Sequence, residues 1–291
     1  VSHEISWKIT GGRAWKNRCA TVAAWSAFVL ALVPLFAVLG YTVIRGLKGF
    51  NYSFLTHSMA RVGPLDAGGG AYHAILGTVE QVAIASLVAV PLGLLVAVYV
   101  TEYGRGPLAN AIRFFIDVMT GIPSIVAGLF IFAFWVLALR QGFSGFAAAM
   151  SLALLMLPVV VRSAEEMIRL VPDGLREAAY AMGVPKWRVI VSIVLPTART
   201  GITTGILLAI ARVTGETAPL LLTAFGNDYI HDNPFHGPQS GLPLFVFSQA
   251  GSAFDVAVNR AWAGALTLIC LVVLLYALAR FLTRRDPLKE R

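Results

Sequence analysis

Residues 171–196 read VPDGLREAAYAMGVPKWRVIVSIVLP. Pro172 suits the first turn of a helix, Asp173 favours its positive end, and Glu177, Ala178, Ala179 and Met182 continue in helix-forming residues. Gly183 stops that helix, because a glycine just past a helix end supplies the left-handed conformation that other residues resist. Pro185 then opens a second short helix. The segment is therefore expected to be helix, turn, helix, with Arg176, Lys186 and Arg188 making it basic.

What flanks this element decides the class of the fold. Of 291 residues, 57% are hydrophobic and 13% charged, against roughly 25% charged in an average soluble domain. A hydrocarbon core about 30 Å thick needs roughly 20 consecutive apolar residues per helix. Runs of that kind lie at about Cys19–Ile44, Ala74–Val100, Ile112–Leu139, Gly145–Ile168, Gly201–Phe225 and Ala261–Leu282. Six transmembrane helices are expected, each closing its own backbone hydrogen bonds as lipid requires. The first run is too long for a signal-peptide core and reads as a retained helix. The domain plan is one membrane domain over 19–283 holding the 171–196 loop, a segment 1–18 before it and a tail 284–291 after it.

The net charge of +8 is placed for a membrane rather than for nucleic acid. Lys8, Arg13, Lys16 and Arg18 precede the first run, Arg105 and Arg113 follow the second, and Arg169, Arg176, Lys186, Arg188 and Arg199 surround the loop after the fourth. Arg280, Arg284, Arg285, Lys289 and Arg291 close the chain, whereas the loop after the fifth run holds Asp228, Asp232 and Asp255 with Arg260. By the positive-inside rule both termini are expected in the cytoplasm. Arg45, Lys48 and Arg61 against Asp66, after the first run, vote more weakly the other way. Cys19 and Cys270 have no metal-type or disulfide-framework spacing and read as packing residues.

From Glu177 the pattern runs E-A-A, three residues, Gly183, nine residues, Ile193, one residue, Leu195-Pro196. This resembles the EAA loop of ABC importer permeases at every defined position. YVTEYGRG at 99–106, GIPSIVAGLF at 121–130, LPVVVRSAEEMIRLVP at 157–172 and AIARVTGETAPLLLTA at 209–224 look like segments of the permease subunits of bacterial phosphate ABC importers. The resemblance implies an all-α type I importer permease of six spans, with helices two to five lining the path and the first wrapping outside. It implies a second related permease, two copies of a cytoplasmic ATPase, an extracytoplasmic phosphate-binding protein, and Glu177, Ala178, Ala179 and Gly183 in the coupling loop. ATP and Mg are expected on the ATPase, because no G-x4-G-K-[ST] phosphate loop occurs in this sequence. No cofactor, catalytic residue or metal is expected in the chain itself. Other oxyanions or small solutes within the same class, or an ion-coupled secondary transporter, are the alternatives.

The fifth run holds the candidate substrate residues. Thr200 to Phe225 is about 37 Å of helix, with Arg212 near its middle. A lipid-facing arginine there costs at least about 2.5 kcal/mol, so Arg212 is expected to face protein, water or substrate. Glu216 lies one turn on, in reach of an ion pair. Pro219 removes the hydrogen bond to the carbonyl of Gly215, so a kink is expected between them. Two roles stay open for the pair. It ties helices together, or Arg212 offers a planar fork to an anion in transit. In the second case Glu216 either holds Arg212 for ready release or accepts a hydrogen bond from protonated phosphate.

Other charged positions carry less. Arg113 and Asp117 read as an interfacial ion pair, Arg162, Glu165, Glu166 and Arg169 as a charged face at the cytoplasmic end, and Glu80 as a vestibule residue. IHDNPFH at 230–236 reads as a polar turn at Asn233-Pro234 rather than a zinc site, and DAGGGAYH at 66–73 as a connection rather than a nucleotide loop.

Overall fold

The computed structural model describes residues 11–63 and 65–283. Lys8 and the basic tail 284–291 therefore lie outside the described residues. The chain divides into two units at Arg45. The described part of the first belongs to α1 (Gly11–Gly46), a single helix with Pro34 inside it and an exposed apolar surface that includes Trp25, Phe28, Leu30 and Phe36.

The second unit begins with the short α2 (Tyr52–Thr56), capped by Asn51, whose side chain accepts from the Phe54 N–H at 2.8 Å. It continues with α3 (Tyr72–Val98), α4 (Pro107–Gly121), α5 (Ser124–Ile131) and α6 (Gly145–Arg169). After the loop helices α7 (Asp173–Ala181) and α8 (Lys186–Val189) come α9 (Leu195–Thr214), α10 (Ala218–Thr223), α11 (Leu242–Ala250) and α12 (Asp255–Thr283). Wider π turns extend α3 through Tyr99–Tyr103, extend α5 through Phe132–Ala138, and join α8 to α9 through Ile190–Val194. Among the described residues, five stretches are long and apolar enough to cross a membrane, and six if the bent pair α4–α5 is one span.

The packing follows from small residues at helical spacing. Ala85, Ala89, Gly93 and Ala97 recur every fourth position of α3 and are all buried. They let α3 lie close along α6, where a Cβ on Gly93 would come within 2.7 Å of Val160 Cγ1. In lipid such close approach replaces the hydrophobic drive that water supplies elsewhere. Leu152, Met156 and Val160 of α6 fill the core from one side and Ala209 and Val213 of α9 from the other.

Two expected helices differ in form. The third run is not one continuous helix, because α4 and α5 meet at 106°. Pro123 lacks an N–H, and Ile122 before it is held extended at φ −73° and ψ 129° because a residue preceding proline is pushed out of the α region. The fifth run breaks rather than kinks. It ends at Thr214 with Gly215 as C-cap and resumes at Ala218, with Pro219 in the first turn of the new helix, where its missing donor costs nothing. The last turn tightens as the N–H groups of Gly215 and Glu216 donate to Arg212 and Val213 three residues back, both at 3.2 Å. Past the two breaks α5 and α10 pack together, with Gly128 against Pro219. Cys19 and Cys270 are exposed, which corrects the expectation that they pack inside the chain.

Candidate functional site

Arg212 sits in the last turn of α9, where a cation suits the negative end of the helix. Glu216 lies in the break that follows, and the Arg212 Nε to Glu216 Oε1 distance is 3.9 Å. The pair is thus a charge contact, longer than a hydrogen bond. Glu216 is 19% exposed and Arg212 56% exposed, so the guanidinium points out of this chain's own packing.

The 171–196 segment is helix, turn, helix. Asp173 opens α7, Gly183 takes φ +75°, and its N–H donates to Tyr180 at 2.9 Å. Of the loop residues, Glu177, Ala178 and Gly183 are exposed and Ala179 is buried. Arg176 and Lys186, two of the residues that make this segment basic, turn inward. Arg176 pairs with Glu102 at 3.0 Å, and Lys186 donates to the Glu102 carbonyl.

A second cluster was assigned differently from the sequence. Glu165 of α6 is buried and gathers Arg113 of α4 at 3.3 Å, Arg162 at 3.3 Å and Arg169 at 2.6 Å. Arg113 also donates to the Val100 carbonyl at 2.7 Å, and Asp117 pairs with Arg162, not with Arg113 four residues away. The i−3 and i+4 spacing of Arg162 and Arg169 around Glu165 was the available signal. The expected charged face is therefore centred on a buried carboxylate that joins two helices.

On the opposite side, the loop after α10 is fastened down. Gln239 donates to Glu80 Oε2 at 2.5 Å and accepts from Gln81 at 3.1 Å, while the Leu242 N–H donates to Thr78 Oγ1 at 2.7 Å. Glu80 thus holds this loop. Asn233 accepts from the Phe235 N–H at 3.0 Å, which makes the expected polar turn, and no metal-ligand cluster occurs among the described residues. Burial raises the Asp228 carboxyl above its ordinary range, with Arg260 pulling the other way.

Residues 89–285 match the family described as binding-protein-dependent transport system inner membrane component. The chain is 47% identical over 281 residues to the phosphate transport system permease protein PstA 1 of Mycobacterium tuberculosis strain H37Rv, covering 95% of this chain and 91% of that one. It is 43% identical over 272 residues to PstA of Yersinia pestis, covering 92% and 91%. Solved structures share the fold. A bacterial alginate ABC transporter chain superposes with a TM-score of 0.61 at 14% identity, covering 94% of this chain and 99% of that one. A MetNI methionine ABC transporter chain gives 0.57 at 18%, covering 74% and 93%. With its helical membrane spans and EAA loop, the chain belongs to the inner-membrane components of binding-protein-dependent transport systems, among the PstA permeases.

Proposed function

We propose that the chain is the permease subunit of an ATP-driven importer of inorganic phosphate. The observation that carries this reading is 47% identity to a phosphate permease across 95% of the chain. In this reading the chain pairs with a second related permease, two copies of a cytoplasmic ATPase that hold ATP and Mg, and an extracytoplasmic phosphate-binding protein. Both termini and α7–α8 lie on the cytoplasmic side, in keeping with the basic residues around them. Exposed Glu177 and Ala178 meet the ATPase, with Gly183 making the turn and buried Ala179 packing beneath it.

Arg212 serves as a transient partner for phosphate, and Glu216 holds it ready. A pair that only tied helices together would gain most from burial and hydrogen-bond contact. A separation of 3.9 Å with 56% exposure leaves the guanidinium fork free for two oxygens of an anion. Loose pairing also suits a path, since a tight site would slow release. The test replaces Arg212→Gln and Glu216→Gln separately and measures phosphate uptake and ATP hydrolysis in the assembled complex. Arg212→Gln is expected to lower uptake by about tenfold or more, the scale of one lost charge-assisted hydrogen bond. Glu216→Gln is expected to lower it less. Normal transport by both variants contradicts the pathway role.

A further inference from the structure

The inward turn of Arg176 and Lys186 gives Glu102 a position that no motif assigns. Glu102 sits in the π turn that ends α3, a kind of turn often found at functional sites, and its side chain is 7% exposed. Arg176, 74 residues away on α7 and 13% exposed, donates to Glu102 Oε1 through both Nε, at 3.2 Å, and Nη2, at 3.0 Å. The same guanidinium donates to the Ile168 carbonyl at 2.9 Å, the Val171 carbonyl at 2.5 Å and Asp173 Oδ1 at 3.1 Å. From the second short helix, Lys186 donates to the Glu102 backbone carbonyl and lies 4.8 Å from the centre of the Tyr103 ring. One residue thus grips both short helices, by its side chain and by its carbonyl.

The chain connections show what this grip adds. α7 follows α6 through residues 170–172, and α8 runs into α9 through the π turn 190–194, so both neighbours are reached covalently. α3, packed along α6 in the core, is reached from α7 and α8 only across space. Its last turn carries apolar contacts, such as buried Ala97, that can slide, and the Glu102 bonds, which are directional and charge-assisted. We infer that Glu102 is a positioning residue that passes movement of the coupling helices α7 and α8 to the pore helix α3. The inference rests on the reading of the chain as an ATP-driven phosphate permease.

The experiment uses the full importer in proteoliposomes and reads two rates together, inorganic phosphate taken up and ATP hydrolysed. Glu102→Gln keeps the shape and removes the charge, Glu102→Ala removes the grip, and Glu102→Asp keeps the charge. Phosphate moved per ATP is expected to fall by about tenfold in Glu102→Ala, the scale of one charge-assisted bond. It is expected to fall less in Glu102→Gln and to recover partly in Glu102→Asp, with the ATPase still co-purifying. A merely structural residue lowers both rates in proportion, so an unchanged ratio in Glu102→Gln and Glu102→Ala overturns the inference and leaves the phosphate reading standing. Absence of phosphate uptake by the unaltered complex overturns both.

Discussion

At the scale of single residues, charge buried in a membrane domain must be answered locally. Glu165 is answered by three arginines, which hold α4 and α6 together from one carboxylate. Removing it leaves three guanidinium groups near one another, with Asp117 paired to one of them. Glu165→Ala is expected to lower stability by about 2–3 kcal/mol, below the full cost of breaking a buried pair because the arginines stay partly exposed. Thermal unfolding of the purified chain in detergent measures this, and an unchanged midpoint contradicts it. Asp228 acts in the opposite sense. Its raised carboxyl favours the neutral form when folded, so it costs nothing below the ordinary aspartate range and costs progressively more as pH rises through the raised value. Sequence spacing exposed Arg212, because an arginine deep in an apolar run cannot face lipid. It did not expose Glu165, whose Arg113 partner is 52 residues away.

At the scale of elements, the turn between α7 and α8 depends on one backbone conformation. Gly183 has φ +75° with open space where a Cβ would stand. Gly183→Ala therefore costs only the left-handed strain, about 1–2 kcal/mol, and is expected to keep the ATPase bound. Gly183→Pro forces φ near −65° and deletes the N–H that donates to Tyr180. It is expected to lose the ATPase in co-purification, and normal assembly with normal transport refutes this role for the turn. Such turns are legible in sequence because proline and glycine act through their own backbones. The breaks in the third and fifth runs were harder to read. Pro123 bends its run by 106°, whereas Pro219 sits harmlessly in the first turn of α10 while Gly215 ends α9. A proline in an apolar run reads the same in both places, and only the conformation of its neighbours separates bend from restart.

At the scale of the whole molecule, composition and the spacing of apolar runs were enough to give a helical membrane protein, and the EAA spacing gave its class. The grip of Glu102 on the loop and the fastening of the outer loop by Gln239 were not legible, since both join residues more than 70 positions apart through side chains of ordinary type. Anion selectivity is tested at this scale too, in the complete importer. The central claim is met most directly by ATP-driven uptake of labelled phosphate into proteoliposomes that carry this chain with the second permease, the ATPase and the binding protein. The account predicts uptake that requires ATP, persists in excess sulfate and is competed by arsenate. Uptake that proceeds without the ATPase, or that sulfate competes as well as phosphate does, contradicts it.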